Sequence, residues 1–424
     1  MRSPDDARPR PSVAVPMLLV LGGLTALPPL SFDMYLPALP DIAADFGVPE
    51  SQIQLTLSSC LIGIALGQLF GGPLSDTLGR RRPLVVGLVG YTVFCFACAA
   101  APSAPALIAL RFFMGLFGGV AVVISRAVVR DRATGAEAAR IFSLLMLVSG
   151  AAPIVAPLIG GLLIDFTSWR GIFVVLGGLG LAGLAAALAV LPETLHADQR
   201  RSGGVRDTIS VVGHLVRDRT FMGYALTSGF AFGVLFFYIS SSSFVFQEIY
   251  GLSPQGFSAV FAGNAVGLVA FGQLNAILVR RYAPTSLLRW GTVQLLVGAV
   301  LLSASVLAEA GIAVVIAALV FTNVTLPLIA PNATALALSG YGREAGIASA
   351  FLGVIQFAVG AIATPLAGAF GETTEFSMAY GMLVMAMLAI AAFVTLVHRP
   401  TTKAADVLED PMTGFLEALP KESR

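Results

Sequence analysis

An aspartate interrupts the first long apolar stretch, in the segment Asp33-Met34-Tyr35-Leu36-Pro37-Ala38-Leu39-Pro40. It is the one acid well inside an apolar run. A carboxylate held out of water is costly in its charged form, so such a residue suits chemistry that takes up and releases a proton or meets a cation. The alternative places Asp33 at a helix end that water reaches, since Pro37 and Pro40 follow closely. Arg111 lies a few residues into another apolar run, in Arg111-Phe112-Phe113-Met114-Gly115-Leu116-Phe117-Gly118-Gly119. A guanidinium keeps its charge, so it must pair, line water or snorkel. Arg111 and Asp33 fall at similar depths in their runs, and a charge-compensating pair between them is the expectation.

Two further segments carry a pattern. The turn Gly72-Pro73-Leu74-Ser75-Asp76-Thr77-Leu78-Gly79-Arg80-Arg81-Arg82 puts a glycine where the chain must bend tightly and an acid where arginines or backbone amides can bond it. Such a charged latch can hold one conformation of a rocking bundle. Anchoring alone accounts for Arg80 and Arg81 but not for the spacing of Asp76 and Gly79. The stretch Gly150-Ala151-Ala152-Pro153-Ile154-Val155-Ala156-Pro157-Leu158-Ile159-Gly160-Gly161 has nothing reactive in it. Pro153 and Pro157 bend a helix and free carbonyls, while Gly150, Gly160 and Gly161 admit a close neighbour, either for flexing or as a fixed kink.

The elements that must position these residues follow from composition. Of 424 residues, 57% are hydrophobic and 12% charged, with a mean hydropathy of +0.87. The 25 basic and 24 acidic residues are too few to cover a water-soluble chain of this length. An ordinary soluble enzyme, a disordered chain and a basic nucleic-acid binder are excluded. Apolar runs long enough to cross a bilayer fall near 14–38, 52–74, 83–101, 104–127, 139–164 and 170–191. Six more follow near 220–246, 254–279, 285–307, 311–336, 345–370 and 376–397. No barrel-like alternation appears. The fold class expected is an all-α polytopic membrane protein, with 12 transmembrane helices in two six-helix pseudo-symmetric bundles. The first run is too long for a cleaved signal peptide.

Charge placement orients the chain. All but two of its 25 basic residues, Arg111 and Arg170, fall in segments that lie on one side when the runs alternate. Acids such as Asp45, Glu50, Glu248, Glu309, Glu372 and Glu375 mark the other side. The basic side is then cytoplasmic. Residues 1–13 form a cytoplasmic N-terminal tail, 14–191 the first bundle, 192–219 a cytoplasmic linker, 220–397 the second bundle and 398–424 a cytoplasmic C-terminal tail. Faint repeats link the halves: Gly67-Gln68-Leu69 with Gly272-Gln273-Leu274, and Pro157-Leu158-Ile159-Gly160 with Pro365-Leu366-Ala367-Gly368. Parallel six-helix repeats form transporters with a midplane site between halves.

Tyr35, Gln54, Tyr238, Asn264, Asn323, Asn332 and Gln356, with Gln68, Gln273 and Gln294, are candidates for lining that site. Interhelical bonding is their alternative role. The 28 Phe and 11 Met suit apolar ligands of variable shape. Cys60, Cys95 and Cys98 read as small hydrophobes, and with His196, His214 and His398 near polar segments no metal site is expected.

These segments together resemble the major facilitator superfamily, and within it the drug:H+ antiporters of the Bcr/CflA (bicyclomycin/chloramphenicol resistance) type. The loop from Gly72 to Arg81 is similar to the superfamily's loop motif, departing at Thr77. Arg111 and Gly115 match its fourth-helix motif, and Gly150–Gly161 its antiporter motif, with Ala156 in place of the usual glycine. Asp33–Pro40, Arg126-Ala127-Val128-Val129-Arg130-Asp131 and Leu191-Pro192-Glu193-Thr194-Leu195 carry the subgroup resemblance. The resemblance implies no enzyme but a proton-coupled antiporter of the inner membrane, both termini cytoplasmic, exporting an amphiphilic antibiotic by alternating access. Asp33 and Arg111 would serve proton coupling or substrate recognition. The partners implied are a small-molecule drug, H+ and the lipid bilayer, with no nucleic acid. No cofactor beyond the proton gradient is expected, and a monomer is expected. The rival readings are export of an endogenous metabolite or sugar and, further off, a membrane-embedded enzyme.

Overall fold

A computed structural model describes residues 15–133, 135–195, 205–341, 344–366 and 374–397. The tails expected at 1–13 and 398–424 lie outside these residues. The first half runs α1 (Val15–Asp33), α2 (Leu39–Phe46), α3 (Glu50–Leu78), α4 (Arg81–Ala99), α5 (Ala104–Arg132), α6 (Gly135–Phe166) and α7 (Trp169–Val190). A linker helix, α8 (Val205–Arg217), leads to the second half. That half comprises α9 (Arg219–Phe244), α10 (Pro254–Leu278), α11 (Pro284–Leu307), α12 (Ile312–Asn323), α13 (Leu326–Leu338), α14 (Ala345–Leu366) and α15 (Glu375–Leu396).

Among the described residues these helices make 12 spans long and apolar enough to cross a membrane. Two spans are broken by proline chemistry. The first, Val15–Phe46, bends after Asp33 through a short 3-10 turn, Leu36–Ala38, because Pro37 and Pro40 cannot donate to the preceding turns. The tenth, Ile312–Leu338, breaks ahead of Pro327. The polar stretch between the halves, read from sequence only as a linker, holds α8.

Glycine sets the closest packing in the first half. A Cβ on Gly63 or Gly67 of α3 would lie 2.1 Å from the Phe112 carbonyl oxygen or 2.0 Å from that of Leu116, both on α5. In return, a Cβ on Gly115 would lie 2.2 Å from the Cys60 carbonyl oxygen and one on Gly119 2.4 Å from that of Ile64. The two backbones therefore touch along several turns. Small residues four apart on both helices are the membrane solution to close association, where apolar burial against lipid gives no drive.

The two ends of the bundle differ. At the end carrying Asp45 the halves are bonded together. Ser243 donates its hydroxyl to the Leu36 carbonyl (2.6 Å), and Gln247 donates to the Pro37 carbonyl (3.1 Å). Gln54 donates to the Ser240 carbonyl (3.3 Å), and Gln255 to the Gly161 carbonyl (3.1 Å) and to Asp165 (2.6 Å). Two of these acceptors are carbonyls within the bend after Asp33. At the arginine-rich end a cavity of about 560 Å³ is lined by α3, α5 and α6 on one side and α14 on the other.

Candidate functional site

The bend places Asp33 as the last residue of α1, only 5% exposed and forming no ion pair among the described residues. It is close enough to Tyr238 of the second half to act electrostatically on that hydroxyl. Tyr238 stacks on Phe261 (centroids 5.4 Å apart), and its hydroxyl approaches Asn264 without a hydrogen bond of ordinary geometry. A buried carboxylate thus sits at the bend through which the first span bonds the other half, ion-paired to no cation among the described residues.

The expected pair between Asp33 and Arg111 is not formed. Arg111 is fully buried, its guanidinium carbon 4.6 Å from the centroid of the Tyr35 ring and 5.7 Å from that of Phe173. One nitrogen donates to the Ser31 carbonyl (2.9 Å), while Nε and the other Nη have no hydrogen-bond partner among the described residues. The reason is helical geometry. Ser31 and Tyr35 are four residues apart and present one face, whereas Asp33 projects about 200° round the axis from Ser31. Aromatic faces and a carbonyl hold the cation instead. The Tyr35 hydroxyl is tied to Thr56 (3.0 Å).

The turn between α3 and α4 is the most heavily bonded charged cluster described. Gly79 takes φ 89°, a conformation that β-carbon-bearing residues avoid, and this swings Arg80 inward. The Arg80 side chain, 8% exposed, binds Asp76 (2.5 Å), Ser75 (2.7 Å) and, with two nitrogens, Asp131 at the end of α5 (2.9 and 3.4 Å). Thr194 donates its hydroxyl to the same Asp131 (3.0 Å). Glu193 accepts the backbone N–H groups of Arg80 (2.8 Å), Arg81 (3.2 Å), Thr194 (3.0 Å) and Leu195 (3.0 Å). Arg81 adds a bond to the Leu188 carbonyl (3.1 Å). Burial works against the Arg80 charge, but the hydrogen bonds it donates to its two carboxylate partners hold its pKa above the ordinary value. Burial likewise opposes the Glu193 charge, and the four amide bonds outweigh it, holding its pKa below the ordinary range. Every partner in this clasp belongs to the first half or to the start of the linker that follows it. Gly72 closes no tight contact, since a Cβ there would meet Val123 at 3.6 Å.

In α6, Pro153 and Pro157 lie inside the helix. A Cβ on Gly160 would lie 2.1 Å from the Met34 carbonyl oxygen, beside Asp33, and one on Gly161 2.5 Å from the Ser258 hydroxyl of α10. Gly150 meets only Val269 at 3.7 Å. The pair at 160–161 therefore serves the junction of α1, α6 and α10.

Of the polar residues proposed to line a cavity, Gln356 does so, bonded to Ser228 (2.6 Å), and Gln68 joins it. Tyr35, Gln54, Tyr238, Asn264, Asn323 and Asn332 are buried between helices. Asn332 donates to Asn275 (2.9 Å), and Asn323 approaches Asn264 at 3.5 Å. Asp131 and Glu193, which complete the clasp, stand in sequence only as parts of family segments. Their roles have no local signal, because their partners lie 51 and 113 residues away. Arg126 and Arg130, which line the cavity, stand in the same family segment as Asp131, and nothing local in the sequence marks them as cavity-lining. The four-residue glycine spacing of α3 and α5 was readable. Arg170, the basic outlier, pairs with Asp45 (2.7 Å), which also accepts from Trp169 (3.0 Å).

A family model described as Major Facilitator Superfamily matches residues 21–365. The chain is 37% identical over 383 residues to the uncharacterized MFS-type transporter YdgK of Bacillus subtilis, covering 89% of this chain and 94% of that protein. It is 33% identical over 390 residues to a bicyclomycin resistance protein homolog of Haemophilus influenzae, covering 90% and 96%. A solved bacterial homolog of the human lysosomal transporter Spinster, inward-facing and occupied, shares the fold with a TM-score of 0.73 at 15% identity, covering 91% of this chain and 97% of that one.

Proposed function

This chain belongs to the major facilitator superfamily, and from that premise we propose that it exports an amphiphilic antibiotic of the bicyclomycin or chloramphenicol class in exchange for protons. The observation that carries the reading is Asp33: a buried carboxylate with no ion-pair partner among the described residues, at the bend through which the first span bonds the other half. A proton carrier must be able to neutralise and recharge, and a permanent guanidinium partner would pin it in the charged state. Arg111, engaged by Tyr35, Phe173 and the Ser31 carbonyl, leaves Asp33 free to do so.

With the arginine-rich end cytoplasmic, the conformation is inward-facing in this proposal. The bonds at the Asp45 end close the outer gate, and cargo enters the cavity beside Gln356 from the cytoplasm. Asp33 releases its proton inward as cargo binds. The halves then rock, the outer bonds of Leu36, Pro37 and Gly161 break, cargo leaves, and Asp33 reloads from outside. The clasp around Arg80 keeps the first half rigid during rocking, while Pro153 and Pro157 let α6 flex against α10. The protein acts as a monomer in the inner membrane. The test is Asp33→Asn in proteoliposomes with an imposed pH gradient. Gradient-driven efflux is expected to fall by at least about tenfold with the folded monodisperse state retained. Normal gradient dependence in that variant overturns the proposal.

A further inference from the structure

Arg126 and Arg130 stand one turn apart on α5 and both line the cavity between the halves. Among the described residues neither forms an ion pair. The acid beside them in sequence, Asp131, is already engaged by Arg80 and Thr194. The described residues of the cavity wall include no Asp or Glu; polar groups come from Gln68, Ser349 and Gln356, and flat apolar surface from Phe142 and Phe357.

Like charges one turn apart on a helix repel, and low-dielectric walls strengthen the repulsion. The carbonyl end of α5, which finishes at Arg132, offsets part of it, but a helix terminus carries only about half a charge against two. Membrane anchoring does not account for the placement, because these side chains border the gap between α5 and α14 rather than the lipid-facing surface. Guanidinium groups present paired N–H donors that match carboxylate oxygens. The cavity volume, about 560 Å³, is that of a site for a drug-sized molecule.

We propose that Arg126 and Arg130 form an oxyanion-binding wall, so that among the amphiphiles this cavity takes it favours those with a carboxylate or similar anionic group beside an apolar body resting on Phe142 and Phe357. This rests on the reading of the cavity as the passage for cargo. It narrows the cargo class away from cationic amphiphiles.

The probes are 4-phenylbutyrate, its neutral amide and 4-phenylbutylamine, titrated calorimetrically into the full chain in phosphatidylcholine nanodiscs. The carboxylate is expected to bind about tenfold more tightly than the amide, and the amine most weakly, with the carboxylate preference shrinking as salt rises. Arg126→Gln and Arg130→Gln should each weaken the carboxylate by about fivefold or more while leaving amide binding within about twofold, which also reports that the variants are folded. Arg126→Lys, keeping the charge, should retain most of the preference. Equal binding of carboxylate and amide, preference for the amine, no carboxylate binding at millimolar concentration, or an unaffected double variant each overturns the proposal. Loss of carboxylate binding when phosphatidylglycerol is included in the discs also overturns it, assigning the arginines to a lipid headgroup. Gradient-driven efflux of a neutral drug by the same wild-type protein separates this inference from the antiport reading. Intact efflux without carboxylate preference removes only the anionic wall, and carboxylate preference without gradient dependence removes only the antiport.

Discussion

The two halves place helices side by side at equivalent positions of the repeat but join them differently. In the first half α3 and α5 meet backbone to backbone, with Gly63, Gly67, Gly115 and Gly119 leaving no room for a Cβ. In the second half α10 meets α12 and α13 through side chains. Asn275 bonds Asn332, Asn264 approaches Asn323, and a Cβ on Gly267 would meet the Val324 side chain rather than main chain. The ends differ in the same sense. The first half closes its α3–α4 turn with the Arg80 clasp, whereas Arg280 and Arg281, at the corresponding turn of the second, are exposed. At the start of that half Asp218 caps α9 through Thr220 (2.8 Å) and Phe221 (3.1 Å) and accepts the Tyr341 hydroxyl. A seam of backbone contacts has one register. A seam of asparagine pairs can exchange partners or admit water, which makes the second half the more deformable body.

The comparison breaks most readily at the glycines. Gly115→Val should prevent recovery of folded protein, a loss above about 4 kcal/mol, because neither the Cys60 carbonyl nor its helix can retreat. Size-exclusion profiles and thermal unfolding in detergent check this. A well-folded Gly115→Val would show that the seam is not rigid.

The clasp comes next. Asp131→Asn should cost about 3 kcal/mol, since it leaves the nearly buried Arg80 charge short of its main partner. Arg280→Ala should be close to neutral, being exposed. The clasp also has a pH signature. Glu193 has a folded pKa below its ordinary 4.5, so its contribution is complete above that value and is lost as the pH falls through the lowered one. Thermal stability measured from pH 7 down to 3 should lose this increment only at the acid end, and Glu193→Gln should flatten it. A loss already present between pH 7 and 6 would mean that another group governs the clasp.

The smallest effect belongs to the asparagines. Asn332→Ala and Asn275→Ala should each cost about 1 kcal/mol, with a coupling energy of similar size in the double-mutant cycle. Zero coupling would remove the pair as the second half's counterpart of the glycine seam.

The span boundaries were legible because hydropathy and proline placement are local properties. The bend after Asp33 follows from Pro37 and Pro40, and the bond from Arg80 to Asp76 from their four-residue spacing. That Arg111 bonds the Ser31 carbonyl rather than Asp33 has no local signal, because the two segments lie 80 residues apart. What sequence could not supply is partnership across the chain. Nothing local marks Asp131 and Glu193 as the groups that receive Arg80. Nor does residue type distinguish Gln356, on a cavity wall, from Asn332, which bridges two helices. Polarity within a span says that a partner is needed, and only packing says whether the partner is a helix or a guest.

The bend of the first span has one more consequence. The acceptors through which it binds the second half are the carbonyls of Leu36 and Pro37, and Ser243 and Gln247 are their donors. A carbonyl belongs to whatever amino acid occupies the position, so side-chain replacement at 36 leaves that acceptor in place while the bend persists. The inheritable specification of these two bonds therefore rests on two codons of the second half, whereas the bonds of Gln54 and Asp165 at the same end depend on first-half side chains. Around position 36 the first half is left comparatively unconstrained, and its side chain there can drift while these two bonds stay intact.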